Sequence, residues 1–231
     1  DAIHLQDSLQ SLARMSETER NVAIDRLEKG DCLVLAGTIP ASLPSDIYEQ
    51  IMDRLKDKEI RIVVDATKDL LLNVLKYHPF LIKPNNHELG EMFGVVLKTD
   101  EEIVEYAKKL QERGARNVLI SMAGDGAILL TETKEVYKMG VPKGTVVNSV
   151  GAGDSMVAGF VASYFKEHDY LKALKFGTAT GSATAFSEGL ATMDKVEELS
   201  ISRRQTWIWC VQGLRFMECG RLRTWIRRQS A

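Results

Sequence analysis

Val147-Asn148-Ser149-Val150-Gly151-Ala152-Gly153-Asp154-Ser155 reads as a strand that runs into a glycine turn and then into a helix. The β-branched run Thr145, Val146 and Val147 predicts the strand. Gly151 and Gly153 supply the conformational freedom for the turn. From Ala152 onward, Met156, Val157, Phe160, Val161 and Phe165 recur at helical spacing. A helix that opens directly after such a turn leaves its first N–H groups unpaired. With the helix dipole they form a site for an anion such as phosphate. Asp154 lies in the same first turn. A carboxylate there would repel phosphate if binding were its only task. It makes sense as a base that takes a proton from a hydroxyl attacking that phosphate. Taken alone, Gly-Ala-Gly-Asp is also readable as an ordinary helix entry, with Asp154 facing the dipole. No Gly-Lys-Ser/Thr follows it, and it is not a full Gly-x-Gly-x-x-Gly fingerprint.

The flanking chain alternates strands and helices. Ser16-x-x-Glu19 and Thr99-x-x-Glu102 are capping boxes that open helices. Ser45 is placed as the cap of a helix running to about Lys56. Cys32 to Ala36, Ile60 to Asp65, Phe80 to Ile82 and Asn117 to Met122 are apolar runs suited to strands covered on both faces. Ala127 to Thr131 and Glu135 to Met139 predict an antiparallel pair, and Tyr170 to Ala185 a last long helix. The pattern predicts an α/β fold with a mostly parallel sheet and helices on both faces. Ligands of such sheets bind at the C-terminal ends of the strands. The polar clusters fall there: Gly37-Thr38, Asp65, Lys83-Asn85-Glu88, Ser121 to Gly126, and Gly151 to Asp154.

Lys83 would neutralise phosphate charge, and Glu88 could hold Mg²⁺ directly or through water. Read alone, the same residues also fit a surface salt bridge. Ser121-Met122-Ala123-Gly124-Asp125-Gly126 offers backbone N–H groups and room for a nucleotide, or else a plain glycine turn. His87 is placed as a solvated helix residue and Cys32 as core.

The net charge of −2 argues against a general nucleic-acid binder. No apolar run approaches the ~20 residues of a membrane span. Cys32, Cys210 and Cys219 form neither a disulfide framework nor a zinc spacing, which points to a cytoplasmic protein. The chain opens at Asp1 without Met, as expected of a piece of something longer. Residues 201–231 hold Trp207, Trp209 and Trp225, are rich in Arg, contain no Lys and have Glu218 as their one acid. That break in composition sets residues 201–231 apart as an atypical Arg/Trp-rich tail to which no fold is assigned.

In this order the clusters resemble the phosphofructokinase B group of ribokinase-like sugar kinases. The segments that carry the resemblance are Leu35 to Pro40, Val63 to Asp65, Ile82 to Leu89, Ile120 to Ala127 and Val147 to Phe160. Their wording looks most like the bacterial 1-phosphofructokinases, with tagatose-6-phosphate kinase and 6-phosphofructokinase close behind. The resemblance implies a ribokinase-like three-layer sandwich, with residues 1–200 as its C-terminal portion and the N-terminal part missing. It implies transfer of the γ-phosphoryl of ATP to fructose 1-phosphate, giving fructose 1,6-bisphosphate. Asp154 would be the base, and Gly151, Ala152 and Gly153 the anion hole. Lys83 and Asn85 would contact ATP phosphates, Ser121 to Gly126 would bind ATP, Thr38 would touch the sugar phosphate, and Glu88 would organise Mg²⁺. Asn148, Val150, Thr184, Ser187 and Gly189 match the positions where some members hold a monovalent cation. The full-length parent would be a homodimer. The absent part carries most of the family's sugar-binding residues, so an inactive nucleotide-binding fragment is the competing expectation.

Overall fold

The structure, a computed structural model, describes residues 16–201 and the backbone of two short strands at 206–209 and 216–218. The order begins with α1 (Glu17–Asp25), β1 (Cys32–Ala36), α2 (Ile47–Leu55), β2 (Arg61–Asp65), α3 (Lys68–Val74), β3 (Leu81–Ile82) and α4 (Asn86–Phe93). It continues with α5 (Asp100–Glu112), β4 (Asn117–Ser121), β5 (Ala127–Leu130), β6 (Val136–Met139), α6 (Ala152–Glu167), α7 (Tyr170–Ala185) and α8 (Met193–Ile201). Then come β7 (Thr206–Trp209) and β8 (Phe216–Glu218).

β1 to β4 pair in parallel, in sequence order. β5 runs antiparallel to β4, and β6 antiparallel to β5, so β6 points the same way as the first four strands. β7 and β8 extend the same sheet by antiparallel pairing, from within the segment that sequence reasoning left without a fold.

The pleat explains the layers. Successive strand residues point to opposite faces of a sheet. Ile62, Val64, Ile82, Val118, Ile120, Ile128 and Leu130 enter one core, packed under α2 to α5 through Ile51, Leu55, Leu71, Leu89, Ile103 and Leu110. Their neighbours Val63, Leu81, Leu119, Ala127 and Leu129 enter a second core with Val157, Phe160, Tyr164 and Leu174 of α6 and α7. Two cores on opposite faces make the predicted three-layer sandwich, and they explain why these strands read as unbroken apolar runs.

Both predicted capping boxes form. The Ser16 hydroxyl accepts the Glu19 N–H at 3.3 Å, and the Thr99 hydroxyl accepts that of Glu102 at 3.2 Å. At Ser45 the expectation shifts by one residue: the N-cap of α2 is Asp46, whose side chain makes no capping bond. Thr145 to Val147 is corrected outright. It is not a strand, and Val146 and Val147 are 65% and 56% exposed. The segment is tied instead to the end of α7, where the carbonyl of Ala185 accepts the N–H groups of Val147 (2.8 Å) and Asn148 (3.1 Å). β-branched composition favours extended backbone, but a strand also needs a neighbour to pair with. Here the chain crosses over the Phe186 ring, so close that a Cβ at Gly144 would lie 2.3 Å from it.

Candidate active site

The site lies at the C-terminal ends of β1 to β4 and the N-terminus of α6. Gly151 is the N-cap of α6 and holds φ at 77°, in the left-handed region that favours glycine. Ser155 N–H donates back to the Gly151 carbonyl at 2.9 Å, and Ala152 N–H to that of Ser149 at 3.2 Å. The N–H groups of Gly153 and Asp154 have no acceptor among the described residues. The open donors of the helix end are therefore those of Gly153 and Asp154, while the N–H of Ala152 is engaged within the turn. The Asp154 side chain is in an exposed residue, open to an incoming group.

Lys83 follows β3 and is buried. Its Nζ lies 3.1 Å from Oδ1 of Asp65, the last residue of β2. The register explains the meeting: Val64 pairs with Ile82, so the next residues of the two parallel strands face each other. The same ammonium packs on the first turn of α6, 3.2 Å from where a Cβ at Gly153 would stand. Burial pushes the Asp65 carboxyl above its ordinary value. Lys83 pulls it back down, while Asp154 and Glu88 push it up, which places both carboxylates within electrostatic reach of Asp65. The surface salt bridge between Lys83 and Glu88 does not form; the buried partner of Lys83 is Asp65.

Asn85 is the N-cap of α4. Its Oδ1 accepts the Glu88 N–H at 2.8 Å, and the Glu88 carboxylate accepts the Asn85 N–H at 2.8 Å. The turn is stitched to β4 by the Ser121 N–H, which donates to the Pro84 carbonyl at 3.2 Å. Lys83, Asn85, Glu88 and Ser121 are thus brought to one rim. The capping box fixes Glu88 through one oxygen only, and a Mg²⁺ bound with substrate phosphates needs no more than one or two protein carboxylates. Glu88 therefore fits that ion.

The loop from Ser121 to Gly126 closes on itself. Met122 N–H donates to the Gly126 carbonyl at 2.8 Å, Asp125 N–H to that of Met122 at 2.9 Å, and Gly126 N–H to that of Ala123 at 3.1 Å. Met122 and Gly126 are buried, whereas Ala123, Gly124 and Asp125 are exposed. Ser121, at the start of the loop, is half-buried. Gly126 has φ 91°, and a Cβ there would lie 1.9 Å from the Met139 carbonyl oxygen, so glycine is required to shape the loop.

Thr38 is exposed in the turn after β1. That turn is held by Gly37 N–H donating to the Asp65 carbonyl at 2.9 Å, and by the Tyr48 hydroxyl donating to the Ala36 carbonyl at 2.8 Å. Burial, with Asp65 nearby, pushes the Tyr48 hydroxyl up to about 12. Tyr48 escaped sequence reasoning because it is a core residue of α2 whose one polar atom happens to reach the rim. Among the positions matched to a monovalent cation, Asn148 Oδ1 accepts the Val150 N–H at 3.0 Å. The Thr184 hydroxyl donates to that of Ser155 at 2.9 Å and accepts the Ala191 N–H at 3.3 Å. Ser187 Oγ donates to the Ala183 carbonyl at 2.8 Å. Gly189 is exposed beside them. His87 is exposed, and Met156 and Phe160 are core, as expected.

Known proteins resemble this chain in sequence and in fold. The chain is 53% identical over 173 residues to 1-phosphofructokinase of Bacillus subtilis, covering 75% of this chain and 57% of that protein. It is 35% identical over 188 residues to D-tagatose-1-phosphate kinase of Bacillus licheniformis, covering 80% and 62%. It therefore spans little more than half the length of these relatives. A solved structure from Staphylococcus aureus, 38% identical, matches with a TM-score of 0.78 over 84% of this chain and 63% of its own. Arabidopsis thaliana ribokinase, solved with ribose and ATP, is 20% identical and shares the fold at a TM-score of 0.68, over 82% of this chain and 60% of its own. The pattern described as pfkB family carbohydrate kinase matches residues 6–197, which include every site element above. With the ribokinase-like sandwich in place and the match running through Asp65, Lys83, Ser121 and Asp154, this chain belongs to the pfkB family of carbohydrate kinases.

Proposed function

We propose that this chain carries the nucleotide and phosphoryl-transfer portion of an ATP-dependent kinase that converts fructose 1-phosphate to fructose 1,6-bisphosphate. The observation that carries the proposal is the exposed Asp154 on a helix end whose N–H groups at Gly153 and Asp154 are open, with the Lys83 ammonium packed on the same turn. In this reading Asp154 accepts the proton of the attacking sugar hydroxyl. The hydroxyl oxygen forms the new bond to the γ-phosphorus, and the bond to ADP breaks, its electron pair leaving with ADP. The open N–H groups and Lys83 stabilise charge on the transferring group. Lys83, Asn85, Ser121, Ala123, Gly124 and Asp125 hold the nucleotide, Thr38 contacts the sugar phosphate, and Glu88 organises Mg²⁺, which supplies further neutralisation of phosphate charge.

The acceptor is assigned from the 1-phosphofructokinase relatives. Tagatose 1-phosphate is the next reading, favoured by the relatives that carry that name. A monovalent cation beside Asn148 and Thr184 belongs to the same proposal, and one phosphofructokinase-2 from Escherichia coli has been solved with potassium. So do a cytoplasmic location, consistent with ATP and a sugar phosphate as substrates, and a homodimeric longer protein. Residues 1–200 are assigned to the kinase portion and 201–231 to an atypical Arg/Trp-rich tail, two strands of which add to the edge of that sheet.

The test is ADP release in a coupled assay with Mg-ATP and each sugar phosphate in turn. Asp154→Asn should abolish turnover and keep Mg-ATP binding. Binding without turnover in the unaltered chain would favour a nucleotide-binding fragment, since loss of substrate positioning forfeits ~7–11 kcal/mol of barrier reduction.

A further inference from the structure

The Lys83 ammonium stands at the wrong end of a helix. Cations are favoured at C-termini and disfavoured at N-termini, where the dipole is already positive. Yet Lys83 Nζ packs on the first turn of α6, 3.2 Å from the Cβ position of Gly153. It is also removed from water, with 9% of its side chain exposed. Something must hold it there, and the partner in contact is Asp65, at 3.1 Å and with 16% of its side chain exposed. A buried pair of this kind adds little to stability, because desolvation offsets its attraction. Its value lies in geometry. The backbone of Asp65 adds to the argument, since its carbonyl accepts the Gly37 N–H at 2.9 Å and so fixes the turn that carries Thr38. One residue therefore holds the cation on one side and the exposed hydroxyl turn on the other.

We infer that Asp65 is a positioning residue: it pins the Lys83 ammonium over Gly153, so that a fixed cation and the open N–H groups of α6 converge before any phosphate arrives. The inference rests on the phosphoryl-transfer reading above. It also gives Gly153 a second reason to be glycine. Gly153 lies inside the helix, where its backbone does not require glycine, but a Cβ would stand 3.2 Å from the Lys83 Nζ. The arriving phosphoryl group then meets charge already in place, with no reorganisation at the moment of reaction.

Competitive acetylation of lysines with acetic anhydride, read peptide by peptide by mass spectrometry, tests this without needing turnover. Exposed Lys143 serves as the fully reactive reference, and Lys138, paired with Asp100 and 22% exposed in its side chain, as the control for general loosening. Lys83 should be protected in the unaltered chain. Asp65→Asn should raise its reactivity by at least about tenfold, because removing one partner of a buried pair outweighs a decade in equilibrium, while Lys138 stays unchanged. Mg-ATP should restore the protection, a phosphate replacing the lost carboxylate. If Asp65→Asn fails to fold, Gly153→Ala asks the same question from the other side: the added methyl should displace the ammonium and raise its labelling. Unchanged Lys83 labelling in a folded variant, or a parallel rise at Lys138, overturns the positioning role and leaves the kinase reading standing. A selective rise that Mg-ATP does not reverse overturns the phosphate reading and the inference with it.

Discussion

Gly177→Ala sets two effects of known size against each other. α6 and α7 approach until glycine is all that fits between them. A Cβ at Gly177 would lie 2.8 Å from the Met156 carbonyl oxygen and 3.1 Å from both Cβ and N of Phe160. Replacing a helical glycine by alanine at an open site stabilises by about 0.5–1 kcal/mol. Inserting a methyl into a packed interface costs about 1–3 kcal/mol. The obstacle here is backbone rather than the end of a flexible side chain, so the second effect should win, for a net loss of about 1–2 kcal/mol. For a chain of this size that corresponds to a fall in Tm of roughly 2–8 °C. Urea unfolding followed by circular dichroism gives the free energy. Ala158→Gly, at an exposed position of the facing helix α6, calibrates the propensity contribution separately. A Gly177→Ala chain that melts at or above the unaltered one would show that the helices are not in backbone contact. Gly181→Ala carries the reasoning to function. Its Cβ would lie 2.9 Å from the Ala152 carbonyl oxygen, in the turn that presents Gly153 and Asp154. For equal loss of Tm, it should weaken Mg-ATP binding more than Gly177→Ala does.

Gly126→Ala combines a left-handed φ of 91° with a Cβ 1.9 Å from the Met139 carbonyl. It should cost about 2–5 kcal/mol from strain and overpacking together, measurable as a lower urea midpoint. Asn85→Ala removes the cap of α4, a loss of about 1 kcal/mol, and should weaken Mg-ATP binding as well; an unchanged urea midpoint would contradict the cap. Glu102 accepts the N–H groups of Lys98 and Thr99, which holds its carboxyl below its ordinary 4.5. The folded state therefore binds this proton less tightly than the unfolded one. Its stabilisation is present above pH 4.5 and is lost as the pH falls through the lowered value. Glu102→Gln should flatten the dependence of Tm on pH in that acid range, and an unchanged slope would refute the assignment.

The three-layer sandwich was legible because its causes are local. Val63 and Val64, or Leu119 and Ile120, read as one apolar run, and such a run fits a strand with a core on each side. Ser16 with Glu19 and Thr99 with Glu102 announced helix starts because a capping box is complete within four residues. Thr145 to Val147 misled for the complementary reason. Its composition favours extended backbone, but whether a strand lies beside it is decided by α7 and Phe186, some forty positions away.

The candidate site divides along the same line. Gly151, Asp154, Lys83 and Ser121 were visible because each closes a strand or opens a helix, and the topology delivers such positions to one rim. What sequence reasoning could not supply was which neighbours touch. The partner of Lys83 depends on β2 lying beside β3 in a register that pairs Val64 with Ile82. Once that register is known, the meeting of Asp65 and Lys83 follows from counting one residue along each strand. The glycines obey the same logic. Gly151 answers to its own φ, a local cause. Gly153 and Gly181 answer to the Lys83 ammonium and the Ala152 carbonyl, which arrive from distant segments. A motif read as one phosphate turn thus touches Lys83, just after β3, and Gly181 of α7, and substitutions at those two positions, or at the Asp65 that pairs with Lys83, should alter phosphate binding without touching the motif itself.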